Sequence, residues 1–169
     1  MMLLTSLKSS AENSEPELNA AIDTSRYAVL KYDKSRDGFI FGDEYKAATL
    51  SVNEIEKIED LIAKGATIYN KEVKDAAAGR KQKTGKQAST SDLNLMMLEH
   101  TTTYYKQLIA VVNDKGEKIV WANCFCARIQ ASNWRRGVVL VMDGGSCFFN
   151  LKINLSTHTV FEIKVNGVA

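Results

Sequence analysis

After residue 100 the apolar side chains recur at every second position. Residues 104–113 (YYKQLIAVVN) predict a strand, 113–116 (NDKG) a turn, and 117–126 (EKIVWANCFC) an antiparallel partner. The run GVVLVM at 137–142 is apolar on both alternating sets, which predicts a strand covered on both faces. Asp143-Gly144-Gly145 is a strong turn signal. In CFFNLKINL, 147–155, the residues Phe149, Leu151, Ile153 and Leu155 fall on one side and Asn150, Lys152 and Asn154 on the other. Ser-Thr-His at 156–158 turns the chain into TVFEIKV, 159–165, whose pattern predicts Phe161, Ile163 and Val165 inward.

Upstream the period is helical. Ser51-Val-Asn-Glu54 is a capping-box pattern, in which hydroxyl and carboxylate each satisfy an orphan amide. Ile55, Ile58, Leu61, Ile62 and Tyr69 then share one face, predicting a helix to about Asn70 or Asp75. Residues 76–92 (AAAGRKQKTGKQASTSD) are basic and apolar-poor, and predict an exposed loop. Residues 18–32 suit either a helix or the start of a strand. Residues 1–17 are polar, carry Pro16 and are expected to be flexible, leaving 18–169 as a single domain. The expected fold class is α+β: one long helix packed on a four- to five-stranded antiparallel meander with one polar face. In shape alone this resembles cystatin-like inhibitor and binding folds, an analogy that does not decide function.

Composition changes this picture little. The chain has 169 residues, enough for one core, with 45% apolar and 25% charged residues and a net charge of +2. The charge is uneven, since residues 71–90 hold six Lys/Arg against two acids. Without interleaved aromatics this argues for a solvated segment rather than a nucleic-acid tail. No stretch approaches the roughly 18–20 apolar residues of a membrane span. The N-terminus lacks the pattern of a signal peptide, so the chain as written is expected to be cytoplasmic, or secreted or periplasmic if an export signal has been removed. Three cysteines fit a reducing compartment, or one bond plus a free thiol.

The segments KGEKIVWANCFC and VMDGGSCFFNLKINLSTHTVFEIKVNGVA carry a W-x-N-C strand and a D-G-G…F-N-x-K-I-N-L…V-N-G-x-A ending. In these motifs the chain resembles an uncharacterised family of small bacterial proteins, and ATLSVNEIEKIEDLI is similar to the same family. The resemblance covers about two-thirds of the chain, implies no activity and carries over no catalytic residue. It implies structural roles for Gly144, Gly145, Gly167, Trp121 and Phe149.

The sharpest chemical signal is DKSRDGFIFGDE, residues 33–44. Counted as an EF-hand loop, it offers Asp33, Ser35, Asp37 and Glu44 as side-chain ligands, the Phe39 carbonyl at position 7, and Gly38 at the sharp turn. Against this, the sequence shows no partner loop, and the capping box at Ser51 starts a new helix where the exiting one should run. The alternative is a polar turn between two short apolar segments. Cys124, Cys126 and Cys147, with His100 or His158, suggest a zinc site or a cysteine nucleophile, but without the spacing either requires. Core cysteine is the commoner role. The favoured expectation is a non-catalytic binding domain with no cofactor. Its partner would be another protein, met on the polar sheet face or at Asn133, Trp134, Arg135 and Arg136, since Trp and Arg are favoured interface anchors. The alternative is a calcium-binding protein using the 33–44 loop.

Overall fold

A computed structural model of the chain describes residues 24–127 and 133–167. The expected flexible segment 1–17, and the ambiguous stretch as far as residue 23, lie outside the described residues. Tyr27–Leu30 forms β1, Lys34–Phe41 α1, Lys46–Ala47 the short β2 and Val52–Thr84 the long α2. Thr90–Met96 is α3, and Tyr105–Val112, Lys118–Phe125, Phe148–Asn154 and Thr159–Val165 are β3 to β6.

The fold is α+β, with one long helix against a sheet. The sheet is mixed, however, and among the described residues has six strands, in the order β1-β3-β4-β5-β6 with β2 also pairing β3. From β3 to β6 neighbours are antiparallel, as the alternating pattern and tight turns predict. β1 instead runs parallel to β3, with Tyr27 beside Lys106 and Leu30 beside Ile109. Strands joined by short turns pair antiparallel, but β1 is separated from β3 by α1, α2 and α3, and such a crossover allows parallel pairing.

The cap at Ser51 forms as its sequence predicts. Ser51 Oγ accepts from Glu54 N at 3.3 Å, and Glu54 Oε2 accepts from Ser51 N at 2.8 Å. Lys118 Nζ reaches Glu54 Oε1 at 2.5 Å and ties the helix start to β4. The helix then runs nine residues beyond Asp75, to Thr84, correcting the expected loop at 76–92. Lack of apolar residues does not break a helix, and Ala, Lys, Arg and Gln are all good formers. Gly85, at φ 69°, ends it in the left-handed conformation.

Two clusters fill the core. On one face of the sheet, Ile55, Ile58, Leu61 and Ile62 of α2 pack on Leu108, Val120, Phe149 and Leu151. On the other, Ile40 and Phe41 of α1, with Trp134 and Val139, cover Ile109, Trp121 and Phe125. The expected polar face is therefore covered over β3 and β4 and stays polar towards β6.

The run at 137–142 is not a strand. It lies flat on the second face, and side-chain amides replace a ladder. Gln107, fully buried on β3, donates from Nε2 to the carbonyls of Trp134 and Gly137, and its Oε1 accepts from Val139 N at 2.8 Å. Asn123 Nδ2 donates to Val139 O at 2.8 Å and Gln107 Oε1 at 3.1 Å. Buried backbone groups need partners from somewhere, and these two amides supply them. Phe161 also departs from expectation, being 55% exposed, because a register shift opposite Lys152 and Ile153 displaces it from the alternation.

Candidate functional site

The 33–44 segment folds as a helix rather than a loop. Asp33 is the N-cap of α1, its Oδ1 accepting from Ser35 N at 2.9 Å and Ser35 Oγ at 2.6 Å. Those Ser35 bonds hold the Asp33 carboxyl below its ordinary pKa. Asp37 is buried, and its oxygens take Arg36 Nε and Nη2, each at 2.6 Å, and Asp33 N at 2.9 Å. Gly38 sits inside the helix, Phe39 is exposed at 65%, and Glu44 is exposed beyond Gly42. Among the described residues, no group of three or more His, Cys, Asp or Glu is placed to hold a metal ion. Calcium at millimolar concentration is expected to leave the thermal midpoint unchanged. A rise that disappears in Glu44→Ala would show that α1 refolds around the ion.

The cysteines and histidines do not assemble into one site. Cys126 and Cys147 are joined by a disulfide, and Cys124 is buried in the first core cluster. Burial pushes the Cys124 thiol far above its ordinary pKa. His100 and His158 are exposed turn residues at φ 51° and 54°. The expected contact loop also reads differently in three dimensions. Trp134 is 5% exposed, edge-on to Tyr105 and Phe125, with the Arg135 guanidinium 4.5 Å over its ring. Arg135 donates to the carbonyls of Tyr27 and Ser25, while Asn133 and Arg136 remain exposed.

Lys106 is the most unusual buried group. It lies fully buried opposite Cys124, 2.8 Å from Glu59 Oε1 of α2, with Nζ donating to Tyr104 O at 3.1 Å. Among the described residues, Glu59 Oε1 has no hydrogen-bond partner beyond this ion pair. Burial raises the Glu59 carboxyl above its ordinary pKa, with Lys106 opposing the rise.

A larger concavity lies elsewhere, between the far half of α2 and α3. Past Ala66 the apolar stripe of the helix continues as Tyr69, Val73, Ala76 and Ala77. α3 folds back beside it because Asn70 mimics a strand. Its Nδ2 donates to Leu98 O and its Oδ1 accepts from Leu98 N, both at 2.8 Å, which seats Leu98 in the core. Small alanines face Leu93 and Met96 across a cleft of about 620 Å³. Among the described residues its charged lining is Glu72, Arg80 and Lys86, with no histidine or cysteine. A second hollow of about 260 Å³, with Lys74 and Lys81, continues past the shared residues Ala77, Gln87, Ala88 and Leu93. The sequence offered the charge but not the cleft, because residues 76–92 lacked the apolar periodicity that signals packing. The expected polar sheet face holds a hollow of about 180 Å³ between Phe39 and Leu140, floored by Asn150, Lys152, Glu162 and Lys164.

Fold and site together define a helix-on-sheet α+β domain with an apolar, basic-rimmed cleft between two helices. No protein-family model, curated protein or solved structure matches the chain.

Proposed function

We propose that this is a non-catalytic binding domain, and that its α2–α3 cleft receives the apolar face of an acidic amphipathic helix from a partner protein. The observation that supports this reading is the pairing of apolar walls with a basic rim. Val73, Ala76, Ala77, Leu93 and Met96 form the floor, Arg80 and Lys86 with Glu72 are the charged residues at its edge, and Lys74 and Lys81 line the adjoining hollow. Helix-in-groove recognition uses such a stripe for affinity, and opposite charge at the rim sets orientation and rate. Methionine at the contact adapts to side chains of varied shape. The Cys126–Cys147 disulfide supports an oxidising compartment as the working location. Among the described residues, no helix is long and apolar enough to cross a membrane.

Amide NMR titration with a synthetic amphipathic helix tests the reading, using one peptide with a glutamate-rich polar face and one with a lysine-rich polar face. The acidic peptide is expected to shift Val73, Ala76, Ala77, Leu93 and Met96 saturably, and Ala77→Trp, which fills the cleft, should abolish the shifts. Equal binding of both peptides, or shifts centred elsewhere, would remove the cleft from consideration.

A further inference from the structure

β6 ends the sheet, and its outer edge has no neighbouring strand among the described residues. The pairing with β5 fixes which backbone groups point outward. Val165 lies opposite Phe149, and Asn166 N donates to Phe148 O at 2.9 Å. This bond flanks a non-hydrogen-bonded pair, so Val165 turns its own N–H and C=O away from β5, as does Ile163 two residues earlier. Lys164 and Glu162 direct theirs inward. The edge therefore offers a donor and an acceptor at Ile163 and again at Val165. Beside them on the helix side stand Phe161, 55% exposed, and Ile68 of α2, 46% exposed, around a groove of about 150 Å³. Exposed edges with apolar flanks are templates for strand addition.

We infer that this edge pairs with β6 of a second copy of the chain, antiparallel about a two-fold axis at Ile163. Charge selects that register. With Ile163 opposite Ile163 of the second copy, Glu162 of each chain faces Lys164 of the other. A shift of one residue either way about the axis sets Glu162 against Glu162 or Lys164 against Lys164, and like charges directly opposite are destabilising. In the favoured register the two Ile163 residues form a hydrogen-bonded pair using their outward groups. Glu162 and Lys164 then occupy the adjacent non-hydrogen-bonded pair, where side chains approach most closely. Within one chain Glu162 already meets Lys164 at 2.5 Å and Lys152 at 3.1 Å, so these side chains lie together on the same face. The two-fold arrangement joins the two sets into one alternating cluster across the seam, self-complementary as a two-fold interface must be. This inference is independent of the α2–α3 cleft.

Sedimentation velocity on the full chain, from low micromolar to submillimolar protein, tests it with two charge variants. The wild type is expected to move from 18.8 kDa to twice that mass as concentration rises. Glu162→Lys and Lys164→Glu should each stay monomeric, because each sets like charges across the axis. Mixed in equal amounts they should recover the doubled mass, since lysines at 162 and 164 of one chain then face glutamates of the other. A monomeric wild type throughout, dimeric single variants, or a mixture that stays monomeric would each overturn the proposal. Hydrogen exchange of the wild type gives an answer independent of variant folding. The Ile163 and Val165 amides should slow with rising protein concentration, and concentration-independent exchange would sink the interface.

Discussion

Lys106→Met is expected to lower stability by about 3–5 kcal/mol, the range for breaking one side of a buried ion pair. Methionine keeps most of the volume between Tyr27 and Cys124, so the loss is electrostatic rather than a cavity. It leaves Glu59, only 21% exposed, without its cation. Urea denaturation at neutral pH measures the effect, and a second variant separates its causes. Lys106→Met combined with Glu59→Gln removes both charges and should recover much of the loss. If the double variant is as unstable as the single one, the lysine's role is packing and the electrostatic account is wrong. The pH dependence follows from the raised Glu59 pKa. The native state holds that proton more tightly than the unfolded chain, so stability falls as pH rises from the ordinary glutamate range through the raised native value. Lys106→Met takes away the group opposing the rise, so the fall should steepen and extend to higher pH.

Cys126→Ser with Cys147→Ser is expected to cost about 3 kcal/mol, the loop-closure entropy for cysteines this far apart. The bond spans a sequence separation of 21 and closes the base of the segment carrying Trp134 and Val139. Wild-type protein unfolded in urea with reductant should show the same midpoint as the double variant. Thiol titration of denatured protein should count one thiol before reduction and three after it. Three thiols without reduction, or a midpoint indifferent to reductant, would show that the bond does not form in solution. The turn leading to Cys147 is constrained separately. Gly144, at φ 101°, would place any Cβ 2.6 Å from the Phe148 ring, which is why glycine follows Asp143 there.

Much of the local architecture was legible because its signals are short-range. The Ser51 cap depends on residues three apart, and the β3–β4 and β5–β6 hairpins depend on alternation interrupted by turn residues. Apolar content alone misplaced two segments. GVVLVM looks like a buried strand, yet it lies across a sheet face whose amides take up its backbone groups. AAAGRKQKT looks like a loop, yet it continues α2, because helix formation needs backbone propensity rather than an apolar face. The 33–44 motif shows the same limit. Its residue types fit a calcium loop, but Asp33, Ser35 and Asp37 fit equally well as the cap and first turn of a short helix, with Arg36 occupying Asp37.

The candidate site was the least legible part. Trp134 and Arg135 had the composition of an interface, but Phe125 and Tyr105 enclose the indole, and the guanidinium is spent on the backbone around β1. The cleft depends on Asn70 meeting Leu98 across 28 residues, a contact no local pattern encodes. The sequence by itself determined the α+β class, the helix start, and the β3–β4 and β5–β6 hairpins with their turns, since periodicity and capping act within a few residues. Only the tertiary structure decided that β1 runs parallel, that Lys106 and Gln107 are interior, that Cys126 pairs with Cys147, and that two helices leave a basic-rimmed cleft. Each of these turns on which residue lies opposite once the chain has folded, and the energies concerned, of desolvation, long-range hydrogen bonding and loop closure, exist only in the assembled core.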